Sequence, residues 1–171
     1  MSKHKFRFGV QTGTVTSAEA WREKARKIED LGYSTLMIPD HFNNQLAPLP
    51  AMIAAAAVTT TLRVGGLVLD NDYKHPVVLA KELATLDVLS GGRLELGIGA
   101  GWMESDYRQA GMTYDPPGVR ISRLQEGLTV IKGLFADEKL AFDGQFYNVH
   151  LDGTPKPVQK PNPPILIGGG G

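Results

Sequence analysis

The chain contains no cysteine. That excludes a disulfide frame, a thiol nucleophile and a thiolate metal site, and it agrees with a cytoplasmic location. Charge of either sign is not in excess, since 18 Lys and Arg balance 18 Asp and Glu. No net field therefore draws the protein to nucleic acid or to an anionic membrane, and neither is expected as a partner. No apolar run approaches the roughly 20 residues of a membrane span, and the first residues, Met1 to Lys5 followed by Phe6-Arg7-Phe8, carry no apolar signal core. His4 and His150 show no metal spacing, and with neither cysteines nor a carboxylate cluster no metal is expected. What is left is ordinary globular composition, 42% hydrophobic and 21% charged over 171 residues, long enough to bury one core.

Glycine, by contrast, is concentrated where it carries information. From Arg93 to Trp102 an apolar strand pattern runs into Gly97, Gly99 and Gly101 and then an aromatic. A strand tip with so little side-chain bulk lets a ring or a phosphate approach the main chain, so something flat is expected to lie against it. This is not a dinucleotide fingerprint: read from Gly97, the third glycine of a G-x-G-x-x-G falls on Trp102.

Short apolar runs alternate with segments of helical period. Phe6 to Gln11, Ser34 to Ile38, Leu62 to Leu69, Leu94 to Ile98 and Pro164 to Ile167 read as strands. Thr16 with Glu19 has the form of a capping box that opens a helix bearing Trp21, Ala25 and Ile28, and Gly32 is placed to close it. Pro50 to Thr60 reads as a packed alanine-rich helix. Pro76 opens another, with Leu79, Leu83 and Leu86 on one face and Gly91-Gly92 as its stop. A fourth helix carries Ile121, Leu124, Leu128 and Ile131, and Asp143-Gly144 marks a hairpin within Leu140 to Val149. Apolar strands alternating with helices imply a parallel sheet covered by helices, joined by right-handed crossovers. A closed eight-stranded barrel takes about 250 residues. The chain is therefore expected to form a single α/β domain over 1–171. It supplies about half a (β/α)8 TIM barrel, strands 1 to 5 and helices 1 to 4, or else a small open sheet, with an inserted hairpin and a proline-rich connection over 136–163.

Several motifs occur in a telling order: Phe8 to Gln11, Ile38 to His41, His75-Pro76 with Ala80 to Asp87, Ser90 to Arg93, Gly97 to Trp102, Lys156 to Gln159, and Pro163 to Gly170. Together they resemble the bacterial-luciferase-like superfamily of flavin and deazaflavin oxidoreductases, whose members are TIM barrels. The resemblance implies a site on the strand tips, where barrel enzymes place their chemistry. Asp40, His41, Leu67, Val68, Ala100, Gly101, Gly168 and Gly169 would then contact the cofactor, with a non-prolyl cis peptide at Leu67-Val68. The Asp40-His41 pair looks most like the branch that uses the deazaflavin coenzyme F420, and FMN is the alternative.

His41 is the expected catalytic residue, because an imidazole can exchange a proton with a substrate hydroxyl as hydride moves. Its plainer reading is an N-cap or loop histidine, and Asp40 reads equally as turn chemistry. Asn71 and Trp102 are expected to meet substrate, and Asp70 to reach the ring or the substrate, although solvated turn residues and a packed indole remain the alternatives. Trp102 stands where the sugar-phosphate dehydrogenase branch has a carboxylate general acid, which makes that substrate doubtful. Glu104 and Asp106 read as a solvated helix start, and His75 as a helix-start residue. The family's usual dimer face would use Ala54 to Ala57 with Leu79, Leu83 and Leu86, giving a homodimer. The implied activity is hydride transfer between F420 and a small organic substrate. One alternative is an FMN-dependent monooxygenase. The other is a non-catalytic half-barrel that pairs its open edges with a second copy, because much of the family's phosphate site lies on later strands.

Overall fold

The structure, a computed structural model, describes residues 6–136 and 139–169. His4, Gly170 and Gly171 lie outside the described residues. In chain order the elements are β1 Gly9–Gln11, α1 Ala18–Asp30, β2 Thr35–Ile38, α2 Pro48–Ala56, β3 Arg63–Gly66, β4 Leu69–Asp70, α3 Pro76–Ser90, β5 Leu94–Gly99, α4 Glu104–Ala110, α5 Pro117–Ala136, β6 Lys139–Asp143, β7 Asn148–Asp152 and β8 Ile165–Gly168. A short 3-10 turn, Asn71–Tyr73, follows β4.

The main sheet is parallel throughout, running β1-β2-β3-β5 with β4 and β8 also paired to β5. The expected strand Leu62 to Leu69 is thus two pieces of one barrel strand. Between the pairs Gly65–Glu95 and Leu69–Ile98 one strand advances four residues and its neighbour three, so a residue is bulged out. The cis peptide Leu67-Val68 sits inside that bulge. Counted as barrel strands, β1, β2, β3 with β4, β5 and β8 are the five the sequence leads one to expect.

Register explains the layering. Side chains alternate across a strand, so Leu36, Ile38, Val64, Leu94, Leu96 and Ile98 all face the helices and are fully buried. Trp21 of α1 closes this layer, its indole Nε1 donating to Ala51 O of α2 at 3.0 Å. The opposite face carries Thr35, Arg63 and Glu95 at one end and only glycine, Gly65, Gly97 and Gly99, toward the other.

Helix ends follow local chemistry, with three departures. The cap of α1 is Ser17, whose Oγ accepts from Ala20 N at 3.1 Å, and not Thr16; Glu19 instead pairs with Arg22 on the exposed face. Helix α2 begins at Pro48 because a proline fits the first turn. Helix α4 has no expected counterpart beyond its first turn, yet Gly111 at φ 69° closes it as a left-handed C-cap. Helix α3 runs as expected from Pro76 to Gly91, with His75 Nδ1 accepting from Val77 N at 3.3 Å. Leu79, Leu83 and Leu86 are buried inside the protein, so they cannot form the expected dimer face, and Ala55 and Ala56 are buried too; Ala54 and Ala57 are exposed, as are the larger apolar residues Ile53, Val78, Val88 and Leu89 of α2 and α3.

The hairpin β6-β7 is antiparallel, and its turn is held from outside. The carboxylate of Glu126 on α5 accepts from the backbone N of Gln145, Phe146 and Tyr147.

Candidate active site

The C-terminal tips of the strands surround a cavity of about 620 Å³, within the range of small-molecule sites. Of the residues expected there, Asp40, His41, Leu67, Val68, Ala100, Gly101, Trp102, Gly168 and Gly169 all line it. Asp70, Tyr73, Arg120, Ile121, Leu124 and Ile167 join them. Asn71 is not brought to the cavity. Its side chain is buried, its amide donates to Tyr147 Oη at 3.2 Å, and a Cβ on Gly127 of α5 would lie 2.4 Å from its Oδ1. The 3-10 turn aims it at α5 and the hairpin instead.

The glycines of β5 have a different cause from the one their sequence suggests. A Cβ on Gly97 would lie 2.1 Å from Gly66 O, one on Gly99 2.9 Å from Val68 Cγ2, and one on Gly168 of β8 2.7 Å from the same Val68 methyl. It is the bulge of the neighbouring strand that needs their emptiness. The bulge then presents Leu67 and Val68 to the cavity.

Polar groups lock the tips together. Asp40 accepts from Asp70 N at 3.1 Å, joining strand β2 to β4. Asp70 in turn accepts from Tyr107 Oη of α4 at 3.0 and 2.9 Å and from Asp72 N at 2.9 Å. Gly101, at φ 76°, lies over this link, where a Cβ would meet Tyr107 Oη at 2.0 Å. Arg120 reaches from α5 to Ala100 O at 3.0 Å, to Gly101 O, and to Asp115 O at 2.9 Å, with its guanidinium 4.1 Å over the Tyr114 ring. It is the only Lys or Arg among the described lining residues, and it donates to three carbonyls and, through Nη2, to Tyr114 Oη at 3.0 Å. The cavity therefore suits a flat ring, with an apolar bulge on one side, better than it suits a phosphate.

His41 Nδ1 stands 2.7 Å from Asp106 Oδ2, and its ring lies perpendicular to Trp102 at a centroid distance of 5.9 Å and 88°. Asp106 is therefore not part of a solvated helix start; it is 6% accessible and turned inward. Trp102 is 69% exposed, so it is a cavity rim and not a core indole. Sequence reasoning missed Asp106, Tyr107, Tyr73 and Arg120. The signal that could have found the first two was Gly111, a C-cap glycine five residues after Asp106 that bounds a short helix.

Burial, opposed by hydrogen bonds from Asp72 N and Tyr107, raises the Asp70 carboxyl from 3.8 to about 6; burial likewise raises Asp40. The folded state then holds the Asp70 proton more tightly than the unfolded chain. Below about pH 3.8 the group does not affect stability; between about 3.8 and 6 stability falls as the unfolded chain ionises first, and above that the loss, about 3 kcal/mol, is complete. Asp70→Asn keeps an acceptor for Asp72 N and Tyr107. Its stability relative to the native protein should rise by about 2 kcal/mol between pH 4 and pH 7.5 in urea titrations; an unchanged difference would refute this effect of burial.

A parallel βα half-barrel with a cavity on the strand tips beside a bulged third strand places the protein among TIM-barrel folds. The chain belongs to the luciferase-like monooxygenase family, whose sequence model matches residues 2–171. It is 33% identical over 129 residues to an FMNH(2)-dependent dimethylsulfone monooxygenase of Pseudomonas putida, covering 74% of this chain and 35% of that protein. It is 32% identical over 158 residues to an F420-dependent glucose-6-phosphate dehydrogenase of Kineococcus radiotolerans, covering 86% of this chain and 45% of that one. In fold it is similar to the coenzyme F420 dependent tetrahydromethanopterin reductase from Methanopyrus kandleri, with a TM-score of 0.87 at 22% identity over 96% of this chain and 50% of that one. The chain spans about half the length of the relatives it matches. No helix among the described residues is long and apolar enough to cross a membrane.

Proposed function

We propose that the protein acts as an oxidoreductase that transfers hydride between the deazaflavin F420 and a small, uncharged organic substrate. The observation that carries this reading is the convergence of Asp40, His41, the Leu67-Val68 bulge, Ala100, Gly101 and the Gly168-Gly169 tip on one cavity. A bound deazaflavin supplies the hydride-carrying ring. The protein's own residues orient it and handle the proton: the bulge offers an apolar surface, Arg120 holds the β5 tip in place, and His41 exchanges a proton with the substrate. Trp102 replaces a carboxylate with an indole at the rim, and with Ile121, Leu124 and Ile167 it makes an apolar mouth that favours flat or apolar substrates over sugar phosphates.

The FMN-dependent relative supports a second reading, a monooxygenase using reduced FMN. Titrating the protein with F420 and with FMN, followed by their absorbance and fluorescence, separates the two. Saturable binding of F420 supports the first, and of FMN alone the second. Binding of neither, with a dimeric mass in solution, favours the non-catalytic, self-associating half-barrel and overturns both. With the cofactor that binds, His41→Asn should keep affinity within about threefold and lower turnover roughly 10²- to 10⁴-fold. Ile53, Val78, Val88 and Leu89 offer an apolar surface for a homodimer, and the cysteine-free composition fits a cytoplasmic protein.

A further inference from the structure

We infer that Asp106 is the positioning residue of His41: through Nδ1 it fixes the orientation and the neutral tautomer of the imidazole, leaving Nε2 as the proton acceptor. The inference rests on the proposed role of His41 in proton exchange. Helix α4 starts two residues after Trp102, and its third residue turns back under the β2 tip, with Asp106 N bonded to Met103 O at 3.0 Å. The Asp106 side chain is 8% accessible and that of His41 21%, and Nδ1 to Oδ2 is 2.7 Å. Tyr73 Oη donates to the same oxygen at 3.3 Å, so the carboxylate is held from a second element.

An ionised carboxylate only accepts, so the nitrogen facing it must carry the hydrogen. Neutral imidazole has one N–H and one lone pair, and the partner of one nitrogen decides the state of the other. With Nδ1 donating to Asp106, the lone pair lies on Nε2, which has no hydrogen-bond partner among the described residues. The Trp102 indole against the ring, perpendicular at 88°, opposes a flip that would put Cδ2 in the place of Nδ1. A role in capping α4 does not explain Asp106, because its carboxylate takes no hydrogen bond from the backbone of that helix and the Met103 cap position has no side-chain bond. The short charge-assisted bond is the one its position serves.

The test reads the tautomer directly, without cofactor. Protein labelled with ¹⁵N-histidine is examined by long-range ¹H–¹⁵N correlation at a pH where the ring is neutral, with His41→Asn to assign the signal. Protonated Nδ1 and unprotonated Nε2 in the native protein are expected. Asp106→Ala should move His41 toward the Nε2–H form that free imidazole prefers, and Asp106→Glu should restore the native pattern. A native ring protonated on Nε2 would overturn the inference, as would an unchanged His41 pattern in a folded Asp106→Ala. If Asp106→Ala does not fold, the native spectrum and Asp106→Glu still decide. In the cofactor-loaded protein, Asp106→Ala should lower kcat about 10- to 100-fold with KM little changed. Because the tautomer is read first and in the cofactor-free protein, a wrong cofactor or substrate does not alter that result.

Discussion

Replacing Gly97 by alanine is expected to cost more stability than any other single methyl added to the sheet. The new Cβ would lie 2.1 Å from Gly66 O and 3.1 Å from Gly66 C, with Val68 Cγ1 at 3.4 Å. The obstructing atoms belong to backbone, not to the far end of a flexible side chain, so no rotamer change relieves them. Strand β3 is held on its other side by β2, and β5 by β8, so parting the two strands breaks pairing over the whole sheet. Overpacking a core costs about 1–3 kcal/mol where side chains can adjust; against backbone the upper end or beyond is expected, a large share of the roughly 5–15 kcal/mol by which domains are stable. Urea unfolding followed by far-UV circular dichroism measures it. Gly118→Ala on α5, whose Cβ meets nothing within 4 Å, is the control and should be neutral or stabilising by up to about 1 kcal/mol. An unchanged urea midpoint in Gly97→Ala would show that β3 and β5 are not packed this closely.

The same glycine shows where reading the sequence succeeds and where it stops. That bulk is forbidden at the β5 tip is visible in the spacing of Gly97, Gly99 and Gly101. What forbids it is not visible, because the Gly66 carbonyl and the Val68 side chain come from about thirty residues earlier and only the pairing of strands brings them close. Strands and long helices were legible because they are made of periodic apolar residues bounded by Pro76 and Gly91, whose effects are local. Whether a leucine faces its own sheet or a second copy is not local: Leu79, Leu83 and Leu86 satisfy either reading until the sheet is placed beneath them. In the site, Asp40, His41 and Trp102 stand at strand ends and could be named from the pattern. Asp106 and Asn71 could not be assigned correctly, because each lies on a short turn or helix without period. There the direction of one side chain depends on tertiary partners, His41 and Tyr73 for Asp106, Tyr147 for Asn71.

At the opposite end of the strands a different set of matching residues turns out to be structural. Glu95, the second residue of β5, sits on the inner face, 5% accessible, and accepts from Arg63 Nε at 2.7 Å, from Thr35 Oγ1 at 3.3 Å and from Arg7. Arg63 continues to Gln159 Oε1 at 2.8 Å, and Gln159 Nε2 donates to Asp87 Oδ1 at 2.7 Å. One chain of bonds therefore ties Arg7, just before β1, and strands β2, β3 and β5 to α3 and to the proline-rich connection before β8. Asp87 and Gln159 belong to motifs that carry the family resemblance, yet they lie far from the cavity and bear on stability, as expected for the N-terminal end of a barrel. Removing one partner of a buried pair costs about 3–5 kcal/mol, because a charge is left uncompensated. In Glu95→Ala the half-exposed Arg7 can relax into water, while Arg63, 24% accessible, keeps only the carbonyls of Gly92 and Leu94 and the Gln159 amide oxygen. A loss of about 3 kcal/mol is expected for Glu95→Ala. Glu95→Gln should lose less, about 1–2 kcal/mol, because an acceptor remains. The double change Glu95→Leu with Arg63→Met should cost less than Glu95→Ala, because no charge is then stranded between the strands. Urea midpoints measure all three, and if the double variant is the least stable, the network stabilises by attraction and not by avoiding an unpaired charge. The folded fraction of every variant should titrate with cofactor as the native protein does, since none of these side chains reaches the strand tips.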